Sequence, residues 1–231
     1  MMKKTLLLGV ILFLSSVSLV TAQQTDSTGA KTMDPKAATF YNNGIKLMIA
    51  GKYTEAAAAF DSSLQVAKDN KTYFQKGLAL QKAGNVPEAR KAYLASLAID
   101  STYDKAYLNL ANLSLAEKNY PEAINLYKKV QRISKDQKTK DDAEQSIALA
   151  NDNMAIEYFN KGNELSKANK FDEAIQNYDK SLAISKDYKT YYQKGITLSK
   201  MEKPQDAIEA FNASIAANKT FDQAYIALAS V

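Results

Sequence analysis

Tyr73-Phe74-Gln75-Lys76-Gly77 returns as Tyr191-Tyr192-Gln193-Lys194-Gly195, 118 residues further along the chain. The same offset carries Gly44 to Gly162, Ala89 to Ala207, and Asp104-Lys105-Ala106-Tyr107 to Asp222-Gln223-Ala224-Tyr225. Aligned without a gap, residues 69–113 and 187–231 share 20 of 45 positions, so the chain is a tandem duplication of a 118-residue block. Self-similarity of this kind marks a repeat architecture, in which stacked units bury a face that none of them can bury alone.

A shorter period runs inside each block. Gly44, Gly77 and Ala111 are spaced by 33 and 34 residues, and Gly162, Gly195 and Ala229 repeat that spacing. Twelve residues after the first five small residues stands an alanine (Ala56, Ala89, Ala123, Ala174, Ala207), and four further on a ring (Phe60, Tyr93, Tyr127, Tyr178, Phe211). Four residues before each small residue lies another ring: Phe40, Tyr73, Tyr107, Tyr158, Tyr191 and Tyr225. Glycine inside a helix costs roughly 0.5–1 kcal/mol against alanine, so four glycines in register imply a return, and close approach of a second helix supplies it. Phe40 and Phe60 are then expected to fill the gap toward the neighbouring unit. Pro87 and Pro121 suit the first turn of second helices, where a missing N–H costs nothing; Pro204, one position earlier, is expected in the turn itself.

These residues resemble the tetratricopeptide repeat, a helix–turn–helix unit of about 34 residues, over residues 37–134 and 155–231. The resemblance implies an all-α fold, a right-handed α-solenoid of five complete helix pairs and a partial sixth. The chain departs from the family where Lys68, Ser101 and Lys219 stand near the usual inter-unit proline. Val130 replaces the serine found at Ser63, Ser96, Ser181 and Ser214, and 51 residues separate Ala111 from Gly162, which makes 17 extra. Thr139-x-x-Asp142 reads as a helix start, followed at helical spacing by Ala143, Ile147, Ala150 and Met154, and no Gly or Pro in 135–161 favours a hinge. Adjacent Asp141 and Asp142 place negative charge in that first turn. The expected organisation is a signal peptide at 1–22, a disordered linker at 23–35, repeats one to three at 36–135, a helical connector at 136–154, and repeats four and five plus a partial sixth at 155–231. A sixth repeat that stops inside its first helix reads as an incomplete chain rather than a cap.

With the small residue of each unit numbered 8, positions 4, 7, 8 and 11 share the core arc, and positions 2, 5, 9 and 12 the adjacent arc. In the family that second arc lines the concave surface. The expected partner-binding groove therefore comprises Tyr41, Ile45, Phe74, Leu78, Leu108, Asn112, Phe159, Asn163, Tyr192 and Ile196, with position 12 adding Met48, Gln81, Leu115, Ser166 and Ser199. The alternative is that the rings are packed between successive first helices. Some family members grip a terminal carboxylate with Lys and Asn here; position 5 is aromatic or aliphatic in this chain, so that mode is not expected. An apolar stripe with scattered amides suits a protein or peptide carrying hydrophobic anchors.

Composition points away from catalysis. The chain has no His and no Cys, which removes Ser–His and Cys–His nucleophiles, imidazole or thiolate zinc sites, iron–sulfur ligation and disulfides. It also lacks a GxGxxG or GxxxxGK[ST] phosphate loop. No enzyme activity, cofactor or metal is expected. Net charge is +5, and removing Lys3 and Lys4 from 30 basic residues leaves 28 against 25 acidic. That balance is too mild to suggest nucleic acid or an anionic membrane as partner.

Residues 1–22 carry the marks of export: Lys3 and Lys4, an apolar run from Thr5 to Val20, and Val20-Thr21-Ala22 as a cleavage site. The run is shorter than the roughly 20 residues of a spanning helix, so no stable membrane insertion is expected after cleavage, and without Cys the chain is not a lipoprotein. The expected location is the periplasm or envelope of a Gram-negative bacterium. Asp26-Ser27-Thr28 and Asp100-Ser101-Thr102 resemble an O-glycosylation acceptor of exported proteins, with turn chemistry as the other reading. The leading functional expectation is a protein–protein interaction scaffold in that envelope. A self-assembling structural protein with a second copy as partner, or a binder of cell-wall and glycan fragments through Asn112 and Asn163, are the alternatives.

Overall fold

A computed structural model describes residues 33–231. The expected signal peptide, and the expected linker as far as residue 32, lie outside the described residues. Among the described residues the chain folds into eleven helices and no strand, an all-α protein of the α-solenoid class. It divides into two compact units between Ser101 and Thr102, inside the first run of repeats.

In the first unit α1 (Pro35–Ile49), α2 (Tyr53–Val66), α3 (Asn70–Lys82) and α4 (Val86–Ile99) pack in chain order. Asp34 caps α1 by accepting the N–H groups of Lys36 and Ala37, so Pro35 opens a helix instead of closing the linker. Asp69 caps α3 through the Thr72 N–H, and Asn85 caps α4, with Pro87 in its first turn. Each carboxylate or amide satisfies a backbone donor that the helix leaves orphaned. Gly51 and Gly84 turn the chain between paired helices at φ 73° and 82°.

The pair spacing follows from Gly77. A Cβ there would lie 2.5 Å from the Tyr93 ring, and one at Gly44 would lie 2.6 Å from Phe60. The second-helix ring thus lies over its own pair's glycine, and Phe60 also shares a cluster with Ala79 and Leu80 of α3, toward the next unit as expected. Ser63 Oγ donates to the Ala37 carbonyl and Ser96 Oγ to the Asn70 carbonyl, both at 2.8 Å, latching each second helix to the start of its first. Lys76 then reaches back to Asp61 at 2.6 Å and ties α3 to α2.

The second unit contains α5 (Asp104–Ala116), α6 (Tyr120–Ile133), α7 (Gln137–Lys167), α8 (Phe171–Ile184), α9 (Tyr188–Lys200), α10 (Pro204–Ala217) and α11 (Asp222–Ala229). Helix α7 runs 31 residues without a break. It starts two residues before Thr139, because Asp136 is the cap and Thr139 is its donor through both N–H (2.9 Å) and hydroxyl (2.6 Å). Those bonds hold the Asp136 carboxyl below its ordinary range. Ala143 and Ile147 in the first half of α7 pack into a cluster with Ala111, Tyr127 and Val130, whereas Gly162 and Leu165 in its second half meet α8 around Ala174 and Tyr178. The 17 inserted residues thus slide the fourth pair along α7 by about 25 Å, at 1.5 Å per residue.

The latch recurs as Ser181 Oγ to the Ala155 carbonyl and Ser214 Oγ to the Tyr188 carbonyl. The third pair buries Val130 fully at the same place. Here the intra-pair turns place Lys118, Asn169 and Glu202 at φ 61°, 58° and 58°, where the first unit uses glycine. Pro204 is the first residue of α10 and not part of the turn, which is where a proline's fixed φ and absent N–H fit best.

Candidate partner-binding face

In the first unit the expected groove residues turn inward. Tyr41, Ile45 and Phe74 are 7%, 1% and 6% exposed, and Leu78 is half-buried. The Tyr41 ring leans on Phe60 (centroids 5.6 Å apart) and Phe74 on Tyr93 (5.8 Å). Position 5 therefore does not lie off the core arc as expected. It is only about 60° from position 8 at 100° per residue, and a ring is long enough to close that angle. Burial, and secondarily the Asp69 carboxylate, push the Tyr41 phenol above its ordinary range.

In the second unit the same ring–ring contact recurs between Phe159 and Tyr178 (6.3 Å) and between Tyr192 and Phe211 (5.9 Å), but Phe159 and Tyr192 stay half-exposed. Leu108 packs into the cluster holding Ala143 and Ile147, apart from the cluster that holds Phe159. Tyr192 and Ile196 share a third cluster with Phe211 and with Ala227 and Leu228 of α11. The long helix α7 thus splits the expected stripe within this unit.

Asn112 and Asn163 have a role that their spacing did not disclose. The Tyr127 hydroxyl donates to Asn112 Oδ1 at 2.6 Å, and the Tyr178 hydroxyl to Asn163 Oδ1 at 2.8 Å. In the first unit Tyr93 donates to Gln81 Oε1 at 2.6 Å. Where the ring is phenylalanine, at Phe60 and Phe211, position 9 is instead Ile45 or Ile196. For Tyr127, Tyr178, Phe60 and Phe211 this pairing is legible in the sequence once position 9 is aligned with the ring; Tyr93 has Leu78 there and takes its amide from position 12, at Gln81. Burial raises the phenols of Tyr93, Tyr127 and Tyr178.

A groove of about 330 Å³ remains between α9 and α11, lined by Tyr192, Ile196, Ser199, Ile226 and the buried Phe211, with no charged side chain. Tyr192 is fixed from behind by Phe211 and by Phe221, whose ring meets it edge-on at 5.2 Å. Among the groove's lining side chains the polar atoms are hydroxyls and the Gln223 amide, and Ala227 and Val231 add apolar surface, so it suits a neutral apolar group. Among the described residues no helix is long and apolar enough to cross a membrane, and no three or more acidic, His or Cys side chains gather to hold a metal ion.

The helix pairs match the tetratricopeptide repeat over residues 41–102 and 74–138, 155–188, and 188–221. The chain belongs to the tetratricopeptide repeat family, whose stacked units form scaffolds for protein–protein interaction. Among solved structures it is similar to the tetratricopeptide repeat domain of P58(IPK), with TM-score 0.51 and 18% identity over 84% of this chain and 54% of that one. The chain thus spans about half the length of that structure, and the likeness shows the fold. The TPR2AB domain of yeast Sti1 aligns with TM-score 0.45 at 18% identity (84% and 82% covered), and MamA with 0.47 at 17% (81% and 94%). No curated protein matches the chain.

Proposed function

We propose that this is an exported scaffold of the bacterial envelope that holds a partner polypeptide by an apolar anchor seated between α9 and α11. The observation that carries this reading is the uncharged groove at Tyr192, Ile196 and Ile226, where other surfaces of the unit are studded with Lys, Asp and Glu. Its walls are held by ring contacts and short turns, so little ordering entropy opposes binding. Export rests on the leader-like residues 1–22. The glycan alternative loses support, because the Asn112 and Asn163 carbonyls already accept tyrosine hydroxyls.

Photo-crosslinking tests the reading in the native envelope. A photoreactive residue at Ser199, exposed in the groove, is expected to yield a discrete polypeptide adduct that the same residue at Asn212, exposed on α10, does not. Identical adduct patterns from both positions would overturn it.

A further inference from the structure

Two junctions in this chain show what covers the flank of a first helix. In the first unit α2 lies along α3, with Asp61 bound to Lys76. In the second unit α8 lies along α9, with Asp179 bound to Lys194. On those flanks Thr72 and Ala79, and likewise Thr190 and Thr197, are buried to 1% exposure or less.

The second half of α7 has the same flank, but α6 does not cover it, because the insertion leaves α6 packed on the first half at Ala143 and Ile147. In the register of Lys76 and Lys194 stands Lys161; in that of Thr72 and Thr190 stands Glu157; in that of Ala79 and Thr197 stands Glu164. Ile156 replaces the lysines Lys71 and Lys189 and is 56% exposed. The flank opens into a cleft of about 640 Å³, bounded by Tyr120 and Pro121 at the start of α6 and by Asn177 of α8. Lys161 has only its own-helix neighbour Glu164, 3.7 Å away and exposed, in place of an aspartate from a preceding helix.

We propose that this cleft docks an amphipathic helix from a partner protein, lying where a preceding second helix lies at the other two junctions. The occupant presents one carboxylate to Lys161, as Asp61 and Asp179 do to their lysines. Basic residues on either side of it meet Glu157 and Glu164, which share one face of α7 seven residues apart. An aliphatic side chain covers Ile156. The site lies apart from the α9–α11 groove and does not depend on it.

A synthetic probe follows from the chain itself: a fluorescein-labelled peptide of residues 171–184 carrying Ile175→Lys and Leu182→Lys. The two introduced lysines flank Asp179, beside the native Lys180, and span the same seven residues as Glu157 and Glu164. Fluorescence anisotropy with the full chain is expected to show saturable binding that weakens with salt. The charge reversal Glu157→Lys/Glu164→Lys, and separately Ile156→Lys, should each weaken it at least about tenfold. These side chains are exposed, and matched circular dichroism spectra confirm that the variants fold. Ser199→Arg in the other groove should leave this binding unchanged. Absence of saturable binding, equal affinity for the α7 variants, or loss on Ser199→Arg alone would each overturn the proposal and leave the flank a solvated surface.

Discussion

The Tyr178 hydroxyl donates to Asn163 Oδ1 at 2.8 Å and fastens α8 to α7, in the place where Phe211 meets Ile196 in the next pair. The chain thus uses polar and apolar versions of one contact, with phenylalanine at the first and fifth pairs and tyrosine in the three between. Tyr178→Phe alone removes a donor and should cost about 1 kcal/mol, while Asn163→Ile alone strands a buried hydroxyl and should cost about 1–3 kcal/mol. The double variant recreates the Phe–Ile version and should cost clearly less than the sum. A double-mutant cycle by urea denaturation measures the coupling; strict additivity would mean that the two residues do not act as a pair.

Gly77→Ala sets two effects against each other. Helix propensity favours the alanine by roughly 0.5–1 kcal/mol, but its Cβ would fall 2.5 Å from the Tyr93 ring. Overpacking of that kind costs about 1–3 kcal/mol, so a net loss is expected in the denaturation midpoint. A gain would show that the ring can yield; the third pair already carries an alanine at this position, Ala111, in one cluster with Tyr127.

Glu202 turns between α9 and α10 at φ 58°, a conformation that costs a side-chain-bearing residue roughly 1–2 kcal/mol. Glycine recovers that strain at an entropic cost of about 0.5–1 kcal/mol. Glu202→Gly should therefore stabilise slightly or leave stability unchanged, and Gly84→Glu at the equivalent turn should destabilise. Thermal unfolding of the two variants checks the asymmetry; a stabilised Gly84→Glu would contradict it.

Tyr93, Tyr127 and Tyr178 are buried, and burial favours their neutral form. A group whose native pKa is raised contributes stability that is fully present below its unfolded value of 10.0 and is lost as pH rises through the native value. Ultraviolet phenolate absorbance should therefore show a late-titrating fraction that ionises together with alkaline unfolding. Tyr93→Phe/Tyr127→Phe/Tyr178→Phe should shrink that fraction. Titration of all phenols as one exposed class would refute the assignment.

Much of the fold was legible because the glycine–ring contact is local in each pair: Gly44 with Phe60 and Gly162 with Tyr178 are fixed by steric distance, so their spacing repeats. The continuity of α7 was readable from a stretch without Gly or Pro, although its cap was misplaced because Asp136 and Thr139 both belong to cap chemistry. The groove was read less well. Tyr41 and Phe74 sit at an angle where ring length decides burial, and spacing carries no information on which way a ring leans. The division at Ser101 has no shift of composition to announce it.

The proposed anchor site is the groove beside Tyr192 and Ile196. Ser199→Arg places a charge in that uncharged surface from an exposed position that carries none of the core. The measurement is recovery of the polypeptide crosslinked in the native envelope, alongside the thermal unfolding temperature of the variant. An unchanged unfolding temperature with capture reduced at least about tenfold, as expected when an unpaired charge must be desolvated in an interface, is the predicted result. Full capture by a folded Ser199→Arg chain would contradict the claim that the partner is held there.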